Sequence, residues 1–161
     1  MKNKKISLLR ITAFYIFSFI IISCSVEQEP IKFGEDECDY CQMTIVDNKY
    51  GAEIVNKQGK SFKFDAVECL LRYIYHGEIK PDDIAMTLVT DITKPKVFID
   101  ANNGYYLVSE NIPSPMGAFL SAFKDKNTAM KYRDKYSGKI YTWTSINSYF
   151  KAQIEHQNHH H

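Results

Sequence analysis

The chain has 161 residues, 45% of them hydrophobic, which suits one compact domain or two small ones sharing a core. Its formal charge is +1, and a signal cleavage after Ser23 removes Lys2, Lys4, Lys5 and Arg10 and no acidic residue, taking the charge to about −3. That balance excludes the basic surface that phosphate-backbone binding needs, so nucleic acid is not an expected partner.

In chain order, the basic N-terminus leads into an apolar run over 11–22 that carries no charge. The run is shorter than the roughly 20 residues of a membrane span and reads as a signal-peptide core. It stops at "IISC" (21–24), a small residue before a cysteine, which resembles a bacterial lipobox in which Cys24 is acylated and becomes the mature N-terminus. An ordinary signal with a chance cysteine, or an uncleaved anchor, is the plainer alternative. The expected organisation is a lipoprotein signal peptide at 1–23, a polar tether with Pro30 at 24–34, a folded domain at 35–154 and a histidine-rich tail at 155–161. The lipid places the domain outside the cytoplasm, on the periplasmic side of an inner or outer bacterial membrane. The tail "EHQNHHH" is either a native metal-gathering segment or the remnant of an affinity tag.

Within the domain, 50–55, "NKQG" and 61–64 read as a β-hairpin with Gly59 at the turn. Asp65 then stands where a helix N-cap belongs, ahead of Val67, Leu70, Leu71, Ile74 and Tyr75 at helical spacing, and His76-Gly77 ends that helix. "KPDDIAMTLVTD" predicts a short link and a strand, and "KVFIDANNGYYLVS" a second hairpin about a primed Asn103-Gly104 turn. A strand at 117–123 and a helix at 126–136 follow.

"GKSFKFDAVECLL" (59–71) and "GKIYTWTSINSYF" (138–150) align without gaps, glycine on glycine, Phe64 on Trp143, Val67 on Ile146, Leu71 on Phe150. Each reads as a glycine turn, a strand with alternating aromatics, a capping residue and a helix start. The pairing predicts an α+β fold of two related β-β-α halves with antiparallel strands, about 35–90 and 91–154. Coincidence between two generic turn-strand-helix segments is the competing explanation. Cys69 falls opposite Ser148, so any thiol chemistry belongs to the first half.

Besides Cys24 there are Cys38, Cys41 and Cys69, an odd number that a disulfide scaffold does not use up in an exported protein. "CDYCQMTI" (38–45) leaves three readings open. If 41–45 enters a strand, Cys41 and Met43 project to one side, and a thiolate with a thioether suits a soft ion such as Cu(I). A structural zinc corner asks for four Cys or His ligands, and no second C-x-x-C or H-x-x-x-H lies in the folded region. A redox dithiol, Cys38 with Cys41, has the right spacing, but such pairs usually open a helix and "QMTIVD" resembles a strand.

Met116 in "IPSPMGAF" sits among prolines and a glycine, in a rigid exposed loop, as a second soft ligand or a hydrophobic plug. Met86 and Met130 lie in apolar periodic runs and are expected in the core, as is Cys69 on its helix, with facing the site as its alternative. His76 near a helix end is expected to serve the helix dipole. No nucleophile-base pair or paired carboxylates argue for catalysis.

Together the lipobox cysteine, "CDYCQMTI", "FKFDAVEC", "SPMGAF" and "SAFKDKNTAMKYRDKYSGKIYTW" resemble the NosL family, lipoprotein copper chaperones for maturation of nitrous-oxide reductase, over almost the whole mature chain. The resemblance implies two β-β-α halves like those of organomercurial lyase. It implies Cu(I) bound by Cys41, Met43 and Met116, with Cys38 an additional candidate ligand. It also implies nitrous-oxide reductase, reached through an ABC-type membrane complex, as recipient in denitrification. Two departures stand out: Gln42 replaces a common glycine, which predicts a less tightly turned backbone, and Cys38 offers Cys41 a competing disulfide. The rival is an extracytoplasmic thiol enzyme, a dithiol oxidoreductase or an organomercurial-lyase-like protein, using Cys38 and Cys41.

Overall fold

The computed structural model describes residues 26–158; the signal peptide, Cys24 and the last histidines lie outside the described residues. Alternating aromatics and β-branched residues give β1 (Ala52–Asn56) and β2 (Ser61–Phe64), an antiparallel hairpin whose turn glycine, Gly59, has φ +82°. The expected hairpin is therefore present, with β1 starting at Ala52. β3 (Ile84–Thr90) pairs with the other side of β1, and β4 (Phe98–Asp100) with β3, completing an antiparallel sheet in the order β2-β1-β3-β4.

A second antiparallel sheet, in the order β6-β5-β7, is formed by β5 (Tyr105–Val108), β6 (Leu120–Phe123) and β7 (Lys139–Thr142). β4 and β5 thus belong to different sheets, and the hairpin expected about Asn103-Gly104 does not form. The cause is local: the Asp100 carboxylate accepts the Asn102 N–H at 2.8 Å, winding Ala101–Asn103 into a 3₁₀ turn. Gly104 then leaves at φ −81°, whereas a primed turn needs a positive value.

Helix α1 (Val67–Tyr75) ends as expected, with His76 as cap and Gly77 at φ +80°. Its N-cap is Ala66, with no side-chain cap bond; Asp65 is buried one residue earlier instead of capping. Helix α2 (Lys126–Tyr136) occupies the expected span and is capped by Asp125, which accepts the Thr128 N–H at 2.8 Å. Helix α3 (Trp143–Asn158) follows β7 directly, so both segments of the internal alignment are an edge strand running into a helix.

One core joins the halves. Ala52, Ile54, Phe64 and Val89 of the first sheet meet Leu70 and Leu71 of α1, Tyr106 and Leu120 of the second sheet, and Ile146 and Phe150 of α3. Each buried Leu or Phe contributes about 1.5–3 kcal/mol through the area it removes from water. Tyr106, fully buried, also satisfies its hydroxyl by donating to the Ala101 carbonyl at 2.7 Å. A smaller cluster of Leu107, Ile112, Phe123 and Ala129 lies under α2. Met130 is exposed on α2, contrary to the expected core position, and Met86 is half-buried on β3. Residues 29–31 lie on the first sheet: Glu29 N–H donates to Glu53 at 2.8 Å, and Ile31 is buried.

Candidate metal centre

Residues 36–45 form a closed turn rather than the expected strand. Cys38 N–H donates to the Met43 carbonyl and Gln42 N–H to the Cys38 carbonyl, both at 2.9 Å, and Glu37 and Thr44 form an isolated bridge. Gln42 adopts φ +61°, the left-handed region that glycine takes without cost. Its side chain compensates by donating to the Cys38 and Asp39 carbonyls at 3.3 and 3.2 Å. The turn is therefore as tight as a glycine would make it, contrary to the looser backbone expected of Gln42. It is fastened to β2 twice, Asp39 N–H to the Lys63 carbonyl at 2.8 Å and Lys63 N–H to the Asp39 carboxylate at 2.6 Å.

This docking brings the turn against the first residues of α1. The sulfurs of Cys38, Cys41 and Cys69 all lie within 4.8 Å of one another, and all three are free thiols. Cys38 and Cys69 are fully buried and Cys41 is half-buried. Three sulfurs about 2.3 Å from a shared ion stand roughly 4 Å apart, so small side-chain rotations suffice to seat one. Cys69, expected chiefly as core packing, is both core and part of the cluster. The odd cysteine count hinted at this, but nothing in the local spacing places a helical thiol beside a turn so distant in sequence.

The cluster shares its protons unequally. The Cys69 S–H donates to Cys38, and the N–H groups of Cys41, Asp65 and Tyr40 point at the same sulfur; against the cost of burial, these push the Cys38 thiol down to about 5. Cys69 is pushed far up, because it is the donor to Cys38 and is buried. Burial also raises Cys41, although the Met43 N–H partly offsets this. At neutral pH the cluster is thus one thiolate, Cys38, held by two thiols. Burial, then the charge on Cys38, raises the Asp65 carboxyl as well, and its Oδ1 has no hydrogen-bond partner.

The expected thioethers lie on different surroundings. Met43 follows Gln42 in the turn with its side chain exposed. Met116 is half-buried against the same core that contains the three thiols. Its loop is anchored at its start, by the Tyr50 hydroxyl donating to the Pro113 carbonyl at 2.8 Å and by the Ser114 hydroxyl donating to Glu68, next to Cys69, at 2.5 Å. His76, at the helix end as expected, packs edge-on against Tyr40 of the turn.

Chemically the arrangement is a soft cluster of three sulfurs, half-exposed at Cys41. Polarizable thiolates match a d¹⁰ monovalent ion far better than a hard divalent one. As a nucleophile the site is poorly built, because its proton-poor sulfur, Cys38, is fully buried.

The chain's fold is similar to "Crystal structure of the copper chaperone NosL from Shewanella denitrificans", with a TM-score of 0.64 and 23% sequence identity over 73% of this chain and 93% of that one. Among curated proteins, none matches the chain. The family model that matches is NosL, over residues 30–150, a span that takes in the turn, α1, the Met116 loop and both sheets; the chain belongs to the NosL family.

Proposed function

We propose that the chain is a Cu(I) metallochaperone, anchored by a lipid on Cys24 to the outer side of a bacterial membrane, that supplies copper for assembly of nitrous-oxide reductase. The observation that carries this reading is the convergence of the Cys38, Cys41 and Cys69 sulfurs within 4.8 Å. Membership of the NosL family and likeness to a structure titled as a copper chaperone support the choice of cargo.

In this reading the ion is held by the sulfurs of Cys38, Cys41 and Cys69 with the Met116 thioether beside them, and Met43 is the thioether through which it enters and leaves. Low coordination serves transfer, because an incoming ligand binds before an outgoing one departs. The half-buried Cys41 is where a recipient's sulfur reaches the ion first, and an ABC-type maturation complex or the reductase itself is the recipient.

The test is anaerobic Cu(I) titration of the purified protein in competition with a chromophoric chelator, for the parent and for a variant with Cys38, Cys41 and Cys69 all replaced by Ser. The parent is expected to take up one Cu(I) and the variant to lose it. Equal uptake by both removes the cluster as the site.

A further inference from the structure

We infer that Glu68 is a positioning residue, which fixes the Met116 loop to the helix that carries Cys69 and so sets where the thioether stands relative to the thiols. This rests on the copper reading above.

Glu68 immediately precedes Cys69 on α1 and is fully buried, although it carries a carboxyl group and forms no ion pair among the described residues. A buried carboxyl without a cationic partner is costly, and an apolar side chain of similar volume would serve packing at least as well. What the carboxyl gains is contact with the loop at 113–119. Its Oε1 accepts the Ser114 hydroxyl at 2.5 Å; burial raises the carboxyl, and that hydroxyl and the N–H groups of Met116 and Ala118, which face it, offset this in part. The Ser114 hydroxyl in turn accepts the Leu120 N–H at 3.4 Å, at the start of β6.

One side chain therefore gathers donors from both limbs of the loop, and Met116 sits between them. The loop itself is a tight turn, Gly117 N–H to the Ser114 carbonyl at 3.0 Å, with Gly117 and Phe119 at φ +71° and +56°. The turn closes the loop on itself around Met116, so the attachment to Glu68 bears on where Met116 stands. Oε2 of Glu68 has no hydrogen-bond partner, so the attachment runs through Oε1.

The experiment is a double-mutant cycle on the full chain, reading Cu(I) affinity by chelator competition and the copper-edge X-ray absorption of the loaded protein. Glu68→Leu is expected to weaken Cu(I) binding about tenfold and to remove the same sulfur contribution as Met116→Leu. In the Met116→Leu background, Glu68→Leu is expected to cost nothing further. Glu68→Gln, which retains an acceptor for Ser114, is expected to stay within about threefold of the parent.

Equal losses in both backgrounds, or no loss in either, would overturn the positioning role while leaving copper binding intact. A parent protein that takes up no Cu(I) would instead remove the function on which this inference rests, and the inference with it. Should Glu68→Leu fail to fold, Ser114→Ala carries the same cycle, with the same outcomes deciding it.

Discussion

The sulfur of Cys69, on α1, lies within 4.8 Å of the sulfur of Cys38, in the turn that precedes the first sheet, and donates its S–H to it. The two meet because the turn is fastened to Lys63 of β2, and β2 runs into α1 a few residues later. The hydrogen bond ties the protonation of one thiol to the presence of the other.

Replacing Cys69 tests that relationship. Cys69→Ala removes the main influence holding the Cys38 thiol near 5, so its titration, followed by thiolate ultraviolet absorbance, is expected to move upward toward the ordinary range. Cu(I) affinity is expected to fall at least about tenfold, as one of three thiolates is lost. The cavity left by one sulfur costs about 1 kcal/mol of stability, so the variant folds. An unmoved Cys38 titration would separate the two sulfurs.

The pH dependence of copper uptake counts the thiols used. Above about pH 5 Cys38 is already a thiolate, whereas Cys41 and Cys69, both raised, stay protonated through neutral pH. A thiol must lose its proton to ligate, so affinity rises with pH. With all three thiolates engaged, about two protons leave per Cu(I), a slope of about two log units in affinity per pH unit. A site using Cys41 with Met43 and Met116 alone releases about one. Potentiometric proton release during anaerobic titration distinguishes the two.

Gln42 tests the turn. Gln42→Gly relieves the left-handed backbone but forfeits the bonds to Cys38 and Asp39, so stability is expected to change by less than about 1 kcal/mol and copper binding hardly at all. Gln42→Val, β-branched where φ is +61°, is expected to cost about 1–2 kcal/mol and to weaken binding by opening the turn. Thermal unfolding and chelator competition on both variants check this. A valine variant as stable as the parent would contradict the strain argument.

Met43 tests the exchange route. Its side chain is exposed, so Met43→Leu is expected to leave the equilibrium affinity within a few-fold of the parent while slowing transfer of Cu(I) to an external chelator, measured by stopped flow. Unchanged transfer would remove Met43 from the exit path.

Much of the fold was legible because its signals are local. The Gly59 hairpin, the His76-Gly77 helix end and the α2 span all depend on residues adjacent in sequence. Asn103-Gly104 misled because the same dipeptide serves a hairpin or a capped 3₁₀ turn, and Asp100, three residues before Asn103, decides between them. Asp65 misled in the same way, since a carboxyl just before a helix is a cap by spacing, but here burial beside Cys38 claims it. The thiol cluster was half legible. Cys38 and Cys41 announce themselves by spacing, while Cys69 joins through a strand-to-helix connection that only the packed chain shows.

The most direct test of the copper site is copper-edge X-ray absorption on the anaerobically loaded protein, for the parent and for Cys69→Ala. The expected result is a first shell of sulfur alone, the thiolates together with the Met116 thioether, about three to four atoms at roughly 2.3 Å, with one lost or replaced in the variant. A shell dominated by nitrogen or oxygen, or one that Cys69→Ala leaves unchanged, would contradict a copper ion held at the meeting point of the turn and α1.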